Sequence, residues 1–144
     1  MKITPKNGID KLLFGMKQSD VLAIYGIPDK KFKDDDKNII LVYNAQKWRL
    51  TFYEDEDFRL GYIISSNPEL TLFDKKIITR NVDEVKHELS KFKTWENEDF
   101  DLAENHFNED NWLILQTEFG VIANLELGSI INDNDEFDWK FGKK

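Results

Sequence analysis

Three short runs rich in β-branched, aliphatic and aromatic residues follow one another in the first half of the chain. They read NIILVY (Asn38–Tyr43), WRLTFY (Trp48–Tyr53) and LGYIIS (Leu60–Ser65). Runs of this length with polar connectors are typical of antiparallel strands joined by hairpins. The second half predicts further strands over Asn111–Glu118, Val121–Leu127 and Asp138–Phe141. A chain built this way must form antiparallel sheet.

The second run alternates between two faces, as a half-buried strand does. One face carries Trp48, Leu50 and Phe52, and the other carries Arg49, Thr51 and Tyr53. The acidic connector Glu54–Asp57 that follows is typical of a solvated hairpin loop. Two interpretations of Tyr53, Phe58 and Tyr62 stay open: an aromatic contact surface, or core residues beneath an acidic loop.

Helical signals precede each set of strands. Ser19–Tyr25 is predicted as a helix with Ser19 as its N-cap, and Gly26 and Pro28 end it. Gly8–Phe14 is predicted as a shorter helix before it. Ile77–Phe92 is predicted as a helix capped by Asn81 or Asp83, because Val82, Val85, Leu89 and Phe92 recur at helical spacing.

A weak internal repeat relates the two halves. FGMKQSDV (Phe14–Val21) aligns with ITRNVDEV (Ile78–Val85) without a gap, and each segment leads to a run that starts at tryptophan, Trp48 or Trp112. The pattern predicts an α+β fold of two tandem units, residues 8–66 and 72–131, each a helix–loop–helix plus antiparallel sheet. The units would form one pseudo-symmetric domain over residues 1–144, with an acidic C-terminal segment at 132–144.

Composition and charge disfavour several classes of function. The chain has 144 residues, 28 acidic against 20 basic side chains and a net charge of −8. Such a charge disfavours binding to nucleic acid or to an anionic membrane surface. No apolar run reaches the roughly 20 residues of a membrane span, and the N-terminus lacks a secretory signal. With no cysteine present, we expect a cytoplasmic protein without disulfides or thiolate chemistry.

The sequence offers few candidate catalytic residues. His87 and His106 are the only histidines, and neither belongs to a recognisable catalytic motif. The acidic runs Asp34–Asp36, Glu54–Asp57 and Asp133–Asp138 lack the glycine and spacing of a calcium loop. We interpret them as solvated loops. The sequence therefore predicts no enzyme activity, no cofactor and no metal site.

The segment GIDKLLFGMKQSDVLAIYGIPD (Gly8–Asp29) and its faint second copy resemble the repeat of β-lactamase-inhibitor-protein and BamE/SmpA-like proteins. The longer stretch Ile3–Leu89, including YEDEDFRLGYI and NPELTLFDKKII, also resembles small bacterial proteins of polymorphic-toxin and contact-dependent inhibition systems. The resemblance implies an immunity protein that binds one toxin stoichiometrically. The missing cysteines and signal disfavour the periplasmic members of the first group.

The sequence hypothesis is thus an acidic immunity protein whose cognate toxin is basic, for example a nuclease. The residues predicted to contact the toxin are Tyr53, Glu54, Asp55, Glu56, Asp57 and Phe58, with Asp133, Asp135 and Glu136 of the C-terminal loop as a second set. Rings supply contact area there and carboxylates steer the partner. The alternative is a small-ligand or metal-binding accessory domain that uses its sheet or acidic loops.

Overall fold

The computed structural model describes residues 1–142, and strands dominate this part of the chain. Its two α-helices are α1 (Gln18–Tyr25) and α2 (Val82–Glu88). The strands are β1 (Lys2–Thr4), β2 (Gly8–Ile9), β3 (Leu12–Leu13), β4 (Lys30–Lys33), β5 (Ile39–Tyr43), β6 (Trp48–Tyr53), β7 (Arg59–Ser65), β8 (Thr71–Leu72), β9 (Lys75–Lys76), β10 (Glu96–Phe100), β11 (Ala103–Asn108), β12 (Leu113–Glu118) and β13 (Val121–Gly128).

Eight strands form one antiparallel sheet in the order β10-β11-β12-β13-β7-β6-β5-β4. Strands β4–β7 and β10–β13 are each a meander in which neighbours in sequence are neighbours in space. The meanders join where β13 pairs with β7, with Leu125 opposite Ser65 and Gly128 opposite Tyr62. This β7–β13 seam turns two local meanders into one continuous surface.

A smaller sheet has the order β3-β2-β1-β8-β9. Its central pairing, β1 with β8, is parallel and joins the N-terminus to residues 71 and 72. Ile3, Ile9, Leu12 and Leu72 of this sheet are buried in one cluster with the inward residues of the large sheet. The two sheets therefore enclose a common core in a sandwich-like arrangement, and Val21 of α1 and Val85 of α2 also contribute to it.

One face of the large sheet is covered by this core and the other is open. In β6 the buried residues are Trp48, Leu50 and Phe52, whereas Arg49 is exposed and Thr51 and Tyr53 are half-buried. The predicted alternation of this strand is confirmed. Burial of the apolar face fixes the strand register, since a shift by one residue would exchange the two faces.

The predicted α+β fold of two helix–loop–helix units is wrong, because the described chain is mostly β. Gly8–Phe14 contains the short strands β2 and β3 rather than a helix. Asp10, between them, has φ 49°, which reverses the chain. The helix predicted over Ile77–Phe92 is limited to α2, because Thr79 has φ 70° and its N–H donates to the carbonyl of Ile122.

Two further details differ from the prediction. Lys17, not Ser19, precedes the first residue of α1, and the Lys17 N–H donates to the Asp20 carboxylate at 2.9 Å. Asn81 caps α2 as predicted, because its side chain accepts from the N–H groups of Asp83 and Glu84. No strand forms over residues 138–141, within the part of the chain that the structure describes.

Candidate functional site

A pocket of about 550 Å³ lies on the open face of the large sheet and is the candidate site. Its lining comes from both meanders and from the segment after β13. The residues are Tyr53, Tyr62, Glu96, Asn97, Glu98, Asn105, Phe107, Trp112, Ile114, Gly128, Ser129, Ile131 and Phe137. This volume falls within the usual range of small-molecule pockets.

The strand register assembles the floor of the pocket. Gly128 lies opposite Tyr62 across the β7–β13 seam. Ile114 of β12 lies opposite Phe107 of β11, and Phe107 lies opposite Glu96 of β10. Residues opposite one another in antiparallel strands share a face. An apolar floor therefore ends at a carboxylate on the sheet edge.

Two glycines let aromatic rings lie directly on the strands. A Cβ on Gly61 would lie 2.1 Å from Cε2 of Tyr53, and a Cβ on Gly128 would lie 2.2 Å from Cδ1 of Trp112. Glycine inside a strand often marks such a close approach. Because Gly128 is opposite Tyr62, the rings of Tyr53 and Trp112 flank Tyr62 along the floor of the pocket.

The backbone turn before β12 directs Trp112 outward. A 3₁₀ turn at Glu109–Asn111 ends at Trp112, which has φ 42°. The buried Asn108 holds this turn: its Oδ1 accepts from the Asn111 backbone and side chain, and its Nδ2 donates to the carbonyl of Thr94. The Trp112 indole then meets Phe107 edge to face, with ring centroids 5.2 Å apart.

The segment after β13 closes one side of the pocket. Ile131 and Phe137 form an antiparallel bridge, and Asn132 Oδ1 accepts from the N–H groups of Asn134 and Glu136 at the tip. We call residues 130–138 the C-terminal hairpin. Phe137 contacts Tyr53 with ring centroids 5.6 Å apart, which holds the hairpin against the sheet.

The hairpin is anchored near the start of α1. The N–H groups of Lys140 and Phe141 both donate to the carbonyl of Phe14 at 3.0 Å, and Arg59 donates to the carbonyl of Gly15. A Cβ on Gly15 would lie 2.7 Å from the Phe141 carbonyl oxygen. Phe14-Gly15, part of the segment that carries the family resemblance, therefore supports one wall of the pocket.

The charged groups on the pocket wall are carboxylates. Glu96 and Glu98 line it, and among residues 1–142 no lysine, arginine or histidine does. On the floor, the Tyr62 hydroxyl donates to Glu126 at 2.5 Å. Burial and Glu126 raise the pKa of Tyr62 well above its usual range, and burial together with Asp34 raises the pKa of Tyr53 to about 12. Both phenols therefore stay protonated at neutral pH.

Two polar atoms of the pocket residues have no hydrogen-bond partner in the described chain. They are Oδ1 of Asn105 on β11 and Oγ of Ser129, and both are inaccessible to solvent. Ser129 as a residue is only 4% exposed. Most buried polar atoms in proteins are paired. Both residues line the pocket, so each oxygen becomes an acceptor for a ligand only when its side chain turns toward the cavity.

The first set of predicted contact residues separates into three environments. Tyr53 lines the pocket, and Glu54 and Asp55 are exposed beside it on a 3₁₀ turn, with Glu56 half-buried. Asp57 forms an ion pair with Lys17 at 2.5 Å, and Lys17 lowers the pKa of that carboxyl. Phe58 packs against the core. Tyr53 and Tyr62 thus line the pocket on the open face, whereas Phe58 packs against the core as the second interpretation expects.

The second predicted set lies at the tip of the C-terminal hairpin. Asp133, Asp135 and Glu136 are all exposed. Through the contact between Phe137 and Tyr53, the structure brings this hairpin beside the strand that leads into the first set. The two acidic segments, far apart in sequence, adjoin residues that line one pocket, namely Tyr53 in the first case and Ile131 and Phe137 in the second.

Sequence reasoning missed the residues opposite them, namely Glu96, Glu98, Phe107 and Trp112. Trp112 was predicted as the start of a strand equivalent to the one at Trp48. In the structure Trp48 is 2% exposed in the core, whereas Trp112 lies on the open face. The available signals were Gly61, inside a predicted strand, and Gly128, directly after one.

The remaining candidates for chemistry lie apart from the pocket. His87 is exposed on α2, whereas His106 is buried on the core side of β11 with its Nε2 3.5 Å from Oγ1 of Thr117. Across residues 1–142, no group of three or more His, Cys, Asp or Glu side chains is placed to hold a metal ion. In the same residues no helix is long and apolar enough to span a membrane.

Comparison with known proteins finds a similarity of fold. No protein-family model and no curated protein matches the chain. The chain is similar to the 1.5 Å crystal structure of an extracellular protein containing an SCP domain from Bacillus anthracis strain Ames, with a TM-score of 0.54 and 13% identity. The match covers 86% of this chain and 49% of that one, so the chain spans about half its length. At this identity the likeness concerns fold alone.

Proposed function

We propose that this protein binds a basic partner protein on the open face of its large sheet and thereby neutralises it, as an immunity protein does to its toxin. The observation that carries the proposal is the pocket, which combines aromatic walls with carboxylates and, among residues 1–142, has no basic side chain. Aromatic residues in pockets are frequent hot spots of protein–protein interfaces. Carboxylates around them select a basic partner.

The charge of the whole chain supports the same partner class. A net charge of −8 attracts basic proteins over a longer range than any single contact. Glu54 and Asp55 on one side, and Asp133 and Asp135 on the other, extend the negative surface beyond the pocket. Steering of this kind raises association rates by about 10–10³-fold at low ionic strength.

The immunity assignment itself rests on the sequence resemblance. Its motif around Phe14-Gly15 holds the C-terminal hairpin in place, which connects the resemblance to the shape of the pocket. The proposal includes a cytoplasmic location, stoichiometric binding and no catalytic step. A basic nuclease would be one suitable partner, because its own substrate is an anion.

The test begins with the neighbouring gene. If it encodes a secreted protein with a toxic C-terminal domain, that domain is expressed with and without this chain, and cell survival and co-purification are measured. We expect a 1:1 complex and survival. Equal killing in both strains, with this chain present and folded, would refute the proposal.

Charge-reversal variants then locate the interface. Glu54→Lys with Asp55→Lys should weaken binding most at low salt, because both carboxylates are exposed and directly follow Tyr53, which lines the pocket. The matched control is Glu69→Lys with Glu118→Lys, two exposed carboxylates outside the pocket lining. Equal loss in both pairs would mean that only net charge matters and that the pocket is not the interface.

A second candidate is a small-ligand accessory domain, which the volume and aromatic lining of the pocket favour. It predicts a low-molecular-weight compound that co-purifies with the chain and is released on denaturation. Mass spectrometry of the released fraction separates the candidates. A stoichiometric compound would support the accessory domain, whereas an empty pocket together with toxin binding would support the immunity protein.

A further inference from the structure

Five aromatic side chains line the pocket. Tyr53 and Trp112 lie on glycines of neighbouring strands, Tyr62 lies between them, and Phe107 and Phe137 contact Trp112 and Tyr53 respectively. Aromatic faces carry negative potential and attract cations within about 6 Å of the ring centre. A group of rings in one pocket therefore favours a positively charged occupant with apolar or planar faces.

The polar atoms of the pocket require hydrogen-bond donors. Glu96 and Glu98 offer carboxylate oxygens at the edge, and Asn105 offers a buried carbonyl oxygen without a partner among the described residues. Ser129, 4% exposed, also has an unpartnered oxygen. These acceptors lie on β10, on β11 and directly before the C-terminal hairpin, on different sides of the pocket. An occupant that satisfies them must donate in several directions.

A guanidinium group meets both requirements. It is planar, stacks on aromatic rings, stays charged at all physiological pH values and carries five N–H donors in a fixed arrangement. An ammonium group carries three donors on one compact, strongly hydrated centre, so it reaches fewer separated acceptors. A neutral aromatic group would leave the carboxylates and the buried oxygens without donors.

We propose that the pocket binds the guanidinium group of an arginine side chain. The inference rests on the proposed function for the source of that arginine, which is a basic partner protein. The guanidinium stacks on the aromatic rings of the pocket, its N–H groups donate to Glu96 and Glu98, and the Asn105 amide turns toward the cavity to accept a further hydrogen bond. Recognition of the arginine is then the central contact of the interface, and the exposed acidic residues around the pocket provide attraction at longer range.

The test uses a small probe rather than the partner. The full chain is titrated with N-acetyl-L-arginine amide at low ionic strength, and backbone and indole N–H signals are followed by two-dimensional NMR. We expect saturable shifts at Trp112, Asn105 and Ser129, with a dissociation constant of about 1–10 mM, as suits one side chain. N-acetyl-L-citrulline amide, a neutral compound of nearly the same shape, should bind at least about tenfold more weakly because it lacks the charge.

Variants assign the contacts. Glu96→Gln combined with Glu98→Gln should weaken arginine binding about tenfold, because both charge-assisted bonds become neutral. Both glutamates are exposed, so the fold should be retained, and an unchanged spectrum outside the pocket verifies this. Glu118→Gln, an exposed site at the opposite end of β12, is the control and should leave the affinity unchanged.

Each outcome decides for or against the proposal. Equal affinity for arginine and citrulline amides, shifts confined to other surfaces, or equal loss in Glu118→Gln would overturn it. N-acetyl-L-lysine amide binding as tightly as the arginine compound would overturn the guanidinium assignment. If the chain protects cells fully from a toxin but does not bind the arginine compound, this inference is wrong and the proposed function stands. If the chain binds the arginine compound but protects from no toxin, the proposed function is wrong and the arginine site stands.

Discussion

The substitution Gly128→Ala tests whether the Trp112 indole packs directly on Gly128, in the space that the Cβ of any other residue would occupy. The added Cβ would lie 2.2 Å from Cδ1 and 2.8 Å from Nε1 of the indole. Since carbon atoms in contact are about 3.5–4.0 Å apart, the ring must retreat by more than about 1 Å. Gly128 does not have a positive φ, so alanine itself is tolerated by the backbone. Any cost therefore comes from the indole.

The expected change in the free energy of unfolding follows from two opposed effects. Overpacking costs about 1–3 kcal/mol, including loss of the edge-to-face contact with Phe107 at 5.2 Å, which contributes about 0.5–1.5 kcal/mol. Reduced backbone entropy of the unfolded chain stabilises an alanine variant by about 0.4–1 kcal/mol. We expect Gly128→Ala to lower the free energy of unfolding by about 1 kcal/mol. In a Trp112→Ala background the first effect is absent, so the same change should stabilise by about 0.4–1 kcal/mol.

A double-mutant cycle measures this change of sign. Urea unfolding followed by circular dichroism gives the four free energies, and the fluorescence of Trp112 is taken as the difference between proteins with and without that residue. A shift of the Trp112 emission to longer wavelength should accompany Gly128→Ala as the indole moves toward solvent. If Gly128→Ala is equally destabilising with and without Trp112, the ring does not pack on Gly128 and our description of the pocket is wrong.

Three further results are expected. Asn81→Ala should destabilise by about 1 kcal/mol in thermal unfolding because it removes the cap of α2, whereas Ser19→Ala should stay within about 0.5 kcal/mol because Ser19 is not a cap. Burial raises the pKa of Tyr53 to about 12, above its unfolded value of about 10. The contribution of Tyr53 to the free energy of unfolding should therefore be full below pH 10 and decrease as the pH rises toward 12. The decrease should be smaller in Tyr53→Phe, and identical alkaline profiles of the two proteins would contradict this. Burial, with Lys86 as a lesser cause, lowers the pKa of His106, so the unfolded chain takes up a proton first and stability should decrease as the pH falls below about 6.5. His106→Leu should flatten that decrease in acid-unfolding curves.

The strands that could be predicted from sequence are those that bury apolar side chains. Trp48–Tyr53 alternates because one of its faces meets the core, and β6 has the predicted bounds. β10 was missed because all five of its residues are exposed, so an edge strand of this kind carries no alternation. β11 was missed for a related reason, since its buried residues His106 and Asn108 are polar.

The helices were overestimated because helical spacing records burial, not backbone conformation. Leu89 is buried on the same side as Val82 and Val85, yet α2 ends at Glu88 and Leu89 is its C-cap. Over Gly8–Phe14, Leu12 and Phe14 enter the core from strand β3 and the residue that follows it. Two-residue strands are too short to show a period.

The acidic runs Glu54–Asp57 and Asp133–Asp138 are visible in the sequence, whereas the carboxylates of the pocket itself, Glu96 and Glu98, were missed. The aromatic floor could not be predicted, because it depends on register across strands far apart in the chain. Gly128 meets Tyr62 only through the β7–β13 pairing. Trp112 reaches the open face only because Asn108 fixes the turn that gives Trp112 its positive φ.

The seam between β7 and β13 also bears on how the chain folds. Within each meander the strands are joined by short connections, so their pairing is local and fast. Pairing residues 62–65 with 125–128 closes a loop of roughly 60 residues, which costs about 2 kcal/mol more chain entropy than a four-residue turn. The slow step of folding is therefore the pairing of β7 with β13 in the middle of the sheet. Because Tyr62 and Gly128 face each other across it, the pocket does not exist in either half alone and appears only when the halves join.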